Sequence, residues 1–209
     1  MPESQRPPAV TRIAQLELRD EQRLVKAGYE LLDEKRIRLV AEIRAQLARL
    51  RRWQSEVRKG DAAVRSSLAA ALGRHGLEEL SVYPAASAAD DELGFTHTQI
   101  FGLGLLEARW QRGAARSTAR PVNPSPEART CAQDYRALLE PLLHAAVHGV
   151  NLRRLIREYL LTERRARAVE NVVLPEIERS LKFLDEQLEI LDQEEVARVR
   201  RHTARARLS

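Results

Sequence analysis

IERSLKFLDEQLEIL, residues 177–191, is the stretch whose reading decides the fold. Its apolar residues Ile177, Leu181, Leu184, Leu188 and Leu191 step by four, three, four and three, which is the seam of a heptad helix. Glu178, Lys182, Asp185, Glu186 and Glu189 occupy the flanks, where a helix meets water or an oppositely charged neighbour. Two heptads arise by chance in many amphipathic helices, so a coiled coil requires that the chain supply a second helix to cover the seam.

It does so at the other end. No proline falls between Thr11 and Leu80, and Ile13, Leu16, Leu24, Ala27, Leu31, Leu39, Ile43, Leu47, Leu50 and Val57 recur at helical steps. Thr11 reads as an N-cap after the Pro7-Pro8 breaker, and the run to Lys59 would span about 75 Å at 1.5 Å per residue. Gly60-Asp61 is expected to dent it, and Gly73 with Gly76 to end the alanine-rich segment beyond. Neither helix can bury its narrow stripe alone. The reading is therefore a mainly α protein: a long antiparallel two-helix coiled coil of the N- and C-terminal helices, with Ile13, Leu24 and Leu31 facing Ile177, Leu181, Leu184, Leu188 and Leu191. Residues near 13 would then lie close to those near 200.

The boundaries follow from composition. Residues 1–10 read as disordered, 11–80 as the N-terminal helix, 81–127 as a central insert and 128–207 as the C-terminal helix, interrupted only by Pro141 and Pro175. The insert holds most of the β-friendly residues: Phe95, Thr96, Thr98, Ile100, Phe101 and Leu103 cluster as a short hairpin would require, one that needs a surface to lean on. RGAARSTARPVNPSPEAR after it reads as a loop.

Charge limits the function. Among 209 residues, 35 Lys plus Arg face 30 Asp plus Glu, and 31 of the bases are Arg. Charges this dense and interleaved belong to solvated helical faces rather than to a round domain with a deep catalytic pocket. The one cysteine, Cys131, has no internal disulfide partner, no apolar run reaches membrane-spanning length, and MPESQRPPAV lacks a signal core; a cytosolic chain without membrane insertion is the expectation. There is no phosphate-binding glycine loop and no Cys/His metal cluster. His144 and His148 share a helix face at i, i+4, yet no third ligand accompanies them, and a packed pair is the default. No cofactor, metal or catalytic residue is expected. Trp53 and Trp110 read equally as core or as interface.

Two segments carry a resemblance. TRIAQLELRDEQRLVKAGYELLDEKRIRLV resembles the N-terminal helix of the D subunit of V-type and A-type ATPases, through Thr11, Arg12, Gly28, Leu31, Leu32, Lys35 and Arg36. ERRARAVENVVLPEIERSLKFLDEQLEILDQEEVARVRR is similar to that family's C-terminal helix through Arg164, Arg165, Glu170, Leu174, Pro175, Ile177, Glu178, Ile190 or Leu191, and Glu194-Glu195. The chain departs from the pattern at Ala166–Val169, where the family usually has Val-Asn-Ala-Leu, and in the insert.

The resemblance implies a non-catalytic rotor axle in the central stalk. It would stand in the hexamer of catalytic A and regulatory B subunits, bind the F subunit on its flank, and seat on a socket protein above the membrane ring, peripheral to the membrane. Candidate contacts with the hexamer are Thr11, Arg12, Gly28, Lys35, Arg36, Arg164, Arg165, Glu170, Pro175, Glu178, Arg198, Arg200 and Arg201. Residues 11–38 and 170–207 would lie inside the hexamer, and 47–64 with 142–161 would hold the F subunit. Gly28, which costs about 1 kcal/mol in a helix interior, reads as simple tolerance or as a site of close packing against the helix of Arg165 or a ring protein. Pro175, at about 3 kcal/mol, reads as the source of a bend. Mixed Arg and Glu faces would let the shaft slide without large apolar patches.

The competing reading is an Arg-rich coiled-coil adaptor, or a protein that binds nucleic acid or anionic membranes. Arg198, Arg200, Arg201, Arg205 and Arg207, with no acid among residues 196–209, match the entire net charge of +5. Few aromatic groups accompany them, which weighs against RNA.

Overall fold

The structure is a computed structural model that describes residues 10–83, 91–113 and 121–206, the side chains of 202 and 204–206 excepted. The expected disordered residues 1–9, much of the loop at 114–120 and the side chains of Arg205 and Arg207 lie outside the described residues. In chain order it comprises α1 (Arg12–Ser81), the strands β1 (Glu92–Ile100) and β2 (Leu103–Gln111), α2 (Pro126–Ala168), a π turn (Val169–Val173) and α3 (Leu174–Ala206). It divides into two compact units, one of residues 1–37 with 160–209 and one of residues 38–159.

In the first unit α1 runs antiparallel to the C-terminal helices, as three ion pairs in register record. Arg12 meets Asp192 at 3.0 Å, Arg19 meets Asp185 at 3.3 Å and Lys26 meets Glu178 at 3.9 Å, so each step of seven along α1 is a step of seven along α3. Ile177, Leu181 and Leu184 are buried and Leu188 is half-buried, as their spacing predicts.

The α1 side of the seam differs from expectation. Ile13, Leu24 and Leu31 are 70%, 74% and 67% exposed. The half-buried positions include Gln15, Leu18, Gln22, Val25, Tyr29, Leu32 and Arg36, which step three and four without a break. The physical reason is that three of these seven are polar and reach acids across the seam, so a search for apolar recurrence selects the opposite face. Gln15 donates to Asp185, Gln22 to Glu178 at 3.5 Å, and Arg36 to Glu163 at 2.9 Å. Leu191 is also outside the seam, 47% exposed, because α1 begins at Arg12, opposite Asp192, and residues 193–206 of α3 run on past that start.

The C-terminal helix is interrupted at Val169–Val173, where the Leu174 N–H reaches back five residues to the Val169 carbonyl. Pro175 therefore follows a π turn in which the regular α ladder is already broken, with helical φ/ψ on both sides.

In the second unit α1 and α2 pair while the hairpin leans on both. The heptad steps continue on α1 through Leu39, Ile43, Gln46, Leu50, Trp53, Val57, Gly60, Val64, Ser67, Ala71 and His75. Gly60 lets the Leu138 side chain pack against α1: a Cβ there would lie 2.8 Å from Leu138 Cδ1. Helix α1 passes Gly60 and Gly73 and is interrupted at Gly76, whose φ of 70° is open to glycine at no steric cost.

The strands pair antiparallel from Glu92 opposite Gln111 to Ile100 opposite Leu103. Phe101 (φ 54°) and Gly102 (φ 79°) form the two-residue turn, and positive φ at both matches the twist of a tight hairpin. The core joins all three elements: Leu39, Leu105 and Leu155 are buried together, with Ile43, Ile100 and Tyr159 packed around them.

Candidate functional site

The paired face of the first unit is electrostatic as much as apolar. Asp185 collects Gln15 and Arg19, and Glu178 collects Gln22 and Lys26, a unit repeated one heptad apart. Loss of hydration and the nearby Glu170 carboxylate raise the Tyr29 phenol above its usual pKa. Arg36 grips Glu163, on which Arg167 also closes at 2.8 Å, and these hydrogen bonds hold the Glu163 carboxyl below the usual range while raising Arg36. Such pairs fix register more than they add stability.

The outer face is apolar to a degree that the interleaved charges of the sequence do not suggest. Ile13, Leu16, Leu24, Leu31 and Ile37 project from α1, each at least 59% exposed, and Phe183, Ile190, Val196 and Val199 do so on α3. Charges share that surface, Arg23 pairing with Asp20 at 3.0 Å with both side chains more than 70% exposed, so the expected mixed faces carry large apolar groups among their charges.

The remaining candidate residues fall into place individually. Thr11 caps α1, its Oγ1 accepting the Ala14 N–H at 3.1 Å. Gly28 has open space where a Cβ would stand, so no close approach to the helix of Arg165 explains it. Lys35 is half-buried; Arg164, Arg165, Arg198, Arg200 and Arg201 are exposed; the Pro175 carbonyl accepts the Arg179 Nε at 3.1 Å. The structure joins Arg12, Arg36, Glu170 and Glu178 to cross-seam partners. Apolar periodicity misses those partners, Asp192, Glu163, Tyr29 and Gln22; a count of acids and amides at steps of seven would have found Asp192 and Gln22.

The second unit has its own polar fastenings. Asn151, 1% exposed, uses its amide like a third strand: it donates to the Leu106 carbonyl at 2.7 Å and accepts the Leu106 N–H at 2.9 Å. Arg154 donates to the Gly104 carbonyl at 2.8 Å. At the hairpin base Arg136 pairs with Asp91, holding that carboxyl below the usual range, and donates to the Gly113 carbonyl at 2.8 Å.

His144 stacks on Trp53 with ring centroids 4.4 Å apart, and His148 Nδ1 donates to Gln46 at 2.8 Å. The i, i+4 histidines are thus both engaged by α1, and burial, with Arg49 and His144 nearby, keeps His148 below the usual histidine range. At the lower end His75 lies 2.6 Å from Ser125, whose Oγ accepts the Ala128 N–H at 3.1 Å and so caps α2 ahead of Pro126.

On its outer side α2 carries a second heptad stripe: Tyr135, Leu139, Leu142, Ala146, Gly149, Arg153 and Ile156. Tyr135, Leu139, Leu142 and Ile156 are 40–48% exposed. Among the described residues no group of three or more His, Cys, Asp or Glu is placed to hold a metal ion, and no helix is long and apolar enough to cross a membrane.

The family model for the D subunit of ATP synthase matches residues 14–204. The D subunit of a V-type ATP synthase from Anaeromyxobacter dehalogenans is 32% identical over 213 aligned positions, covering 94% of this chain and 96% of its own. The V-type counterpart from Thermotoga neapolitana is 24% identical over 92% and 95% of the two chains, and the A-type counterpart from Thermococcus gammatolerans is 27% identical over 91% of each.

Proposed function

The chain belongs to the family of ATP synthase D subunits, and from that premise we propose that it is the central-stalk rotor of a V/A-type rotary ATPase. In this role it couples ATP hydrolysis or synthesis in the hexamer of A and B subunits to ion translocation through the membrane ring, and it supplies no catalytic group of its own. The observation that carries the reading is the two-sided first unit. Its inner seam is pinned by in-register pairs, while large apolar residues stand outward on α1, between 59% and 74% exposed. A helix pair with that outer face is matched to an enclosing protein wall, since exposed apolar groups in such numbers mark a contact surface.

Within that assembly, residues 11–38 and 170–207 form the part inside the hexamer. Arg198, Arg200 and Arg201, exposed on the stretch of α3 beyond Asp192, meet acidic or polar groups of the ring. The outer stripe of α2 from Leu142 to Ile156 supports assigning 142–161 to the F subunit; the companion segment 47–64 contributes its outward arginines rather than Trp53, which is stacked on His144. A socket protein above the ring receives the axle, and the chain stays peripheral to the membrane, as part of the membrane-bound complex on its cytoplasmic side. Co-purification tests the reading: the full chain should bind the F subunit and restore ATPase activity to a hexamer lacking its axle, and failure to bind either would sink it.

A further inference from the structure

We infer that the π turn at Val169–Val173 is a register lock for the paired helices, created by one surplus residue in the C-terminal helix rather than by Pro175. Two independent counts give the same surplus. From Gln22–Glu178 to Arg36–Glu163, α1 advances fourteen residues while its partner advances fifteen. Nearer the chain ends the steps match: seven against seven from Arg12–Asp192 through Arg19–Asp185 to Lys26–Glu178.

The seam positions agree. Thr162, Ala166, Val169 and Val173 step four, three, four, and Ile177, Leu181, Leu184 and Leu188 step four, three, four, but the join from Val173 to Ile177 is a further four where the alternation calls for three. The α1 seam from Gln15 to Arg36 has no such break.

A surplus residue wound as ordinary α-helix would turn everything after it by about 100°. Ile177, Leu181 and Leu184 would leave the seam, and Asp185 and Asp192 would leave Arg19 and Arg12. One widened turn, in which the Leu174 N–H reaches Val169, absorbs the residue and restores both patterns. Pro175, which brings no N–H, comes directly after the Leu174 N–H that closes this turn.

The test uses three variants of the full chain, followed by thermal melting and by the distance between spin labels at the exposed positions Leu16 and Glu189. Deleting Val172, which is 57% exposed, together with Pro175→Ala removes the surplus; the label distance should be unchanged and the melting temperature within about 3 °C of the parent. Deleting Lys182, an exposed residue outside the turn, leaves the surplus and shifts the register; melting should fall by more than about 5 °C, or the chain fail to fold. Pro175→Ala alone should keep the π turn in a crystal structure. The inference is overturned if the Val172 deletion is as damaging as the Lys182 deletion, or if Pro175→Ala alone yields a continuous α-helix.

Discussion

Arg36 Nη1 lies 2.9 Å from Glu163 Oε2 across the seam of the first unit, a guanidinium placed where a coiled coil ordinarily has an apolar side chain. Because the folded-state pKa of Glu163 is depressed, its contribution is present above the unfolded value near 4.3 and is lost as pH falls through the folded one. Glu163→Gln should therefore lower the melting temperature at pH 7, and the gap to the parent should narrow as pH falls below the unfolded value and on through the depressed folded one. Melts stepped from pH 7 into acid check this; a gap that does not change at any pH down to the acid limit of folding would assign the loss to packing instead.

The seam itself predicts unequal costs for the same truncation. Leu184→Ala, at a fully buried position, should cost about 2–5 kcal/mol, whereas Leu24→Ala, 74% exposed, should stay within about 0.5 kcal/mol of the parent. Denaturant titration measures both. In the assembled complex the order reverses in its effect on association, since Leu24 belongs to the proposed outer contact.

Two glycines should respond in opposite directions. Gly28→Ala meets open space and should stabilise by about 0.5–1 kcal/mol. Gly60→Val drives a branched side chain into Leu138 and should cost about 1–3 kcal/mol, read from the same titrations.

Asn151→Ala should loosen the hairpin. Removing the amide leaves the Leu106 N–H and carbonyl without their partner, at about 1–3 kcal/mol. Amide hydrogen exchange should quicken across β2 while the seam of the first unit keeps its protection.

How far the sequence carries can be judged residue by residue. Ile177, Leu181 and Leu184 are legible because an apolar seam announces itself by recurrence, and the hairpin is legible because β-formers cluster between Phe95 and Leu103. The α1 face is not legible that way. Gln15, Gln22 and Arg36 hold seam positions through partners more than a hundred residues away, while Ile13, Leu24 and Leu31 keep a helical recurrence on the outer side. Apolar recurrence alone does not say which face of a helix the chain buries against itself. Pro175 draws the eye as a helix breaker, whereas the neighbouring surplus residue is visible only once the cross-seam partners are known.

In the proposed role this chain turns inside a ring of catalytic proteins. The most direct measurement attaches a bead to the full chain, seated in an immobilised hexamer of A and B subunits, and follows it under ATP. Unidirectional stepping that stops without ATP is the predicted result, with seating weakened in a salt-dependent way when Arg198, Arg200 and Arg201 are neutralised. A chain that binds the hexamer firmly while ATP is hydrolysed, yet does not turn, would contradict the account.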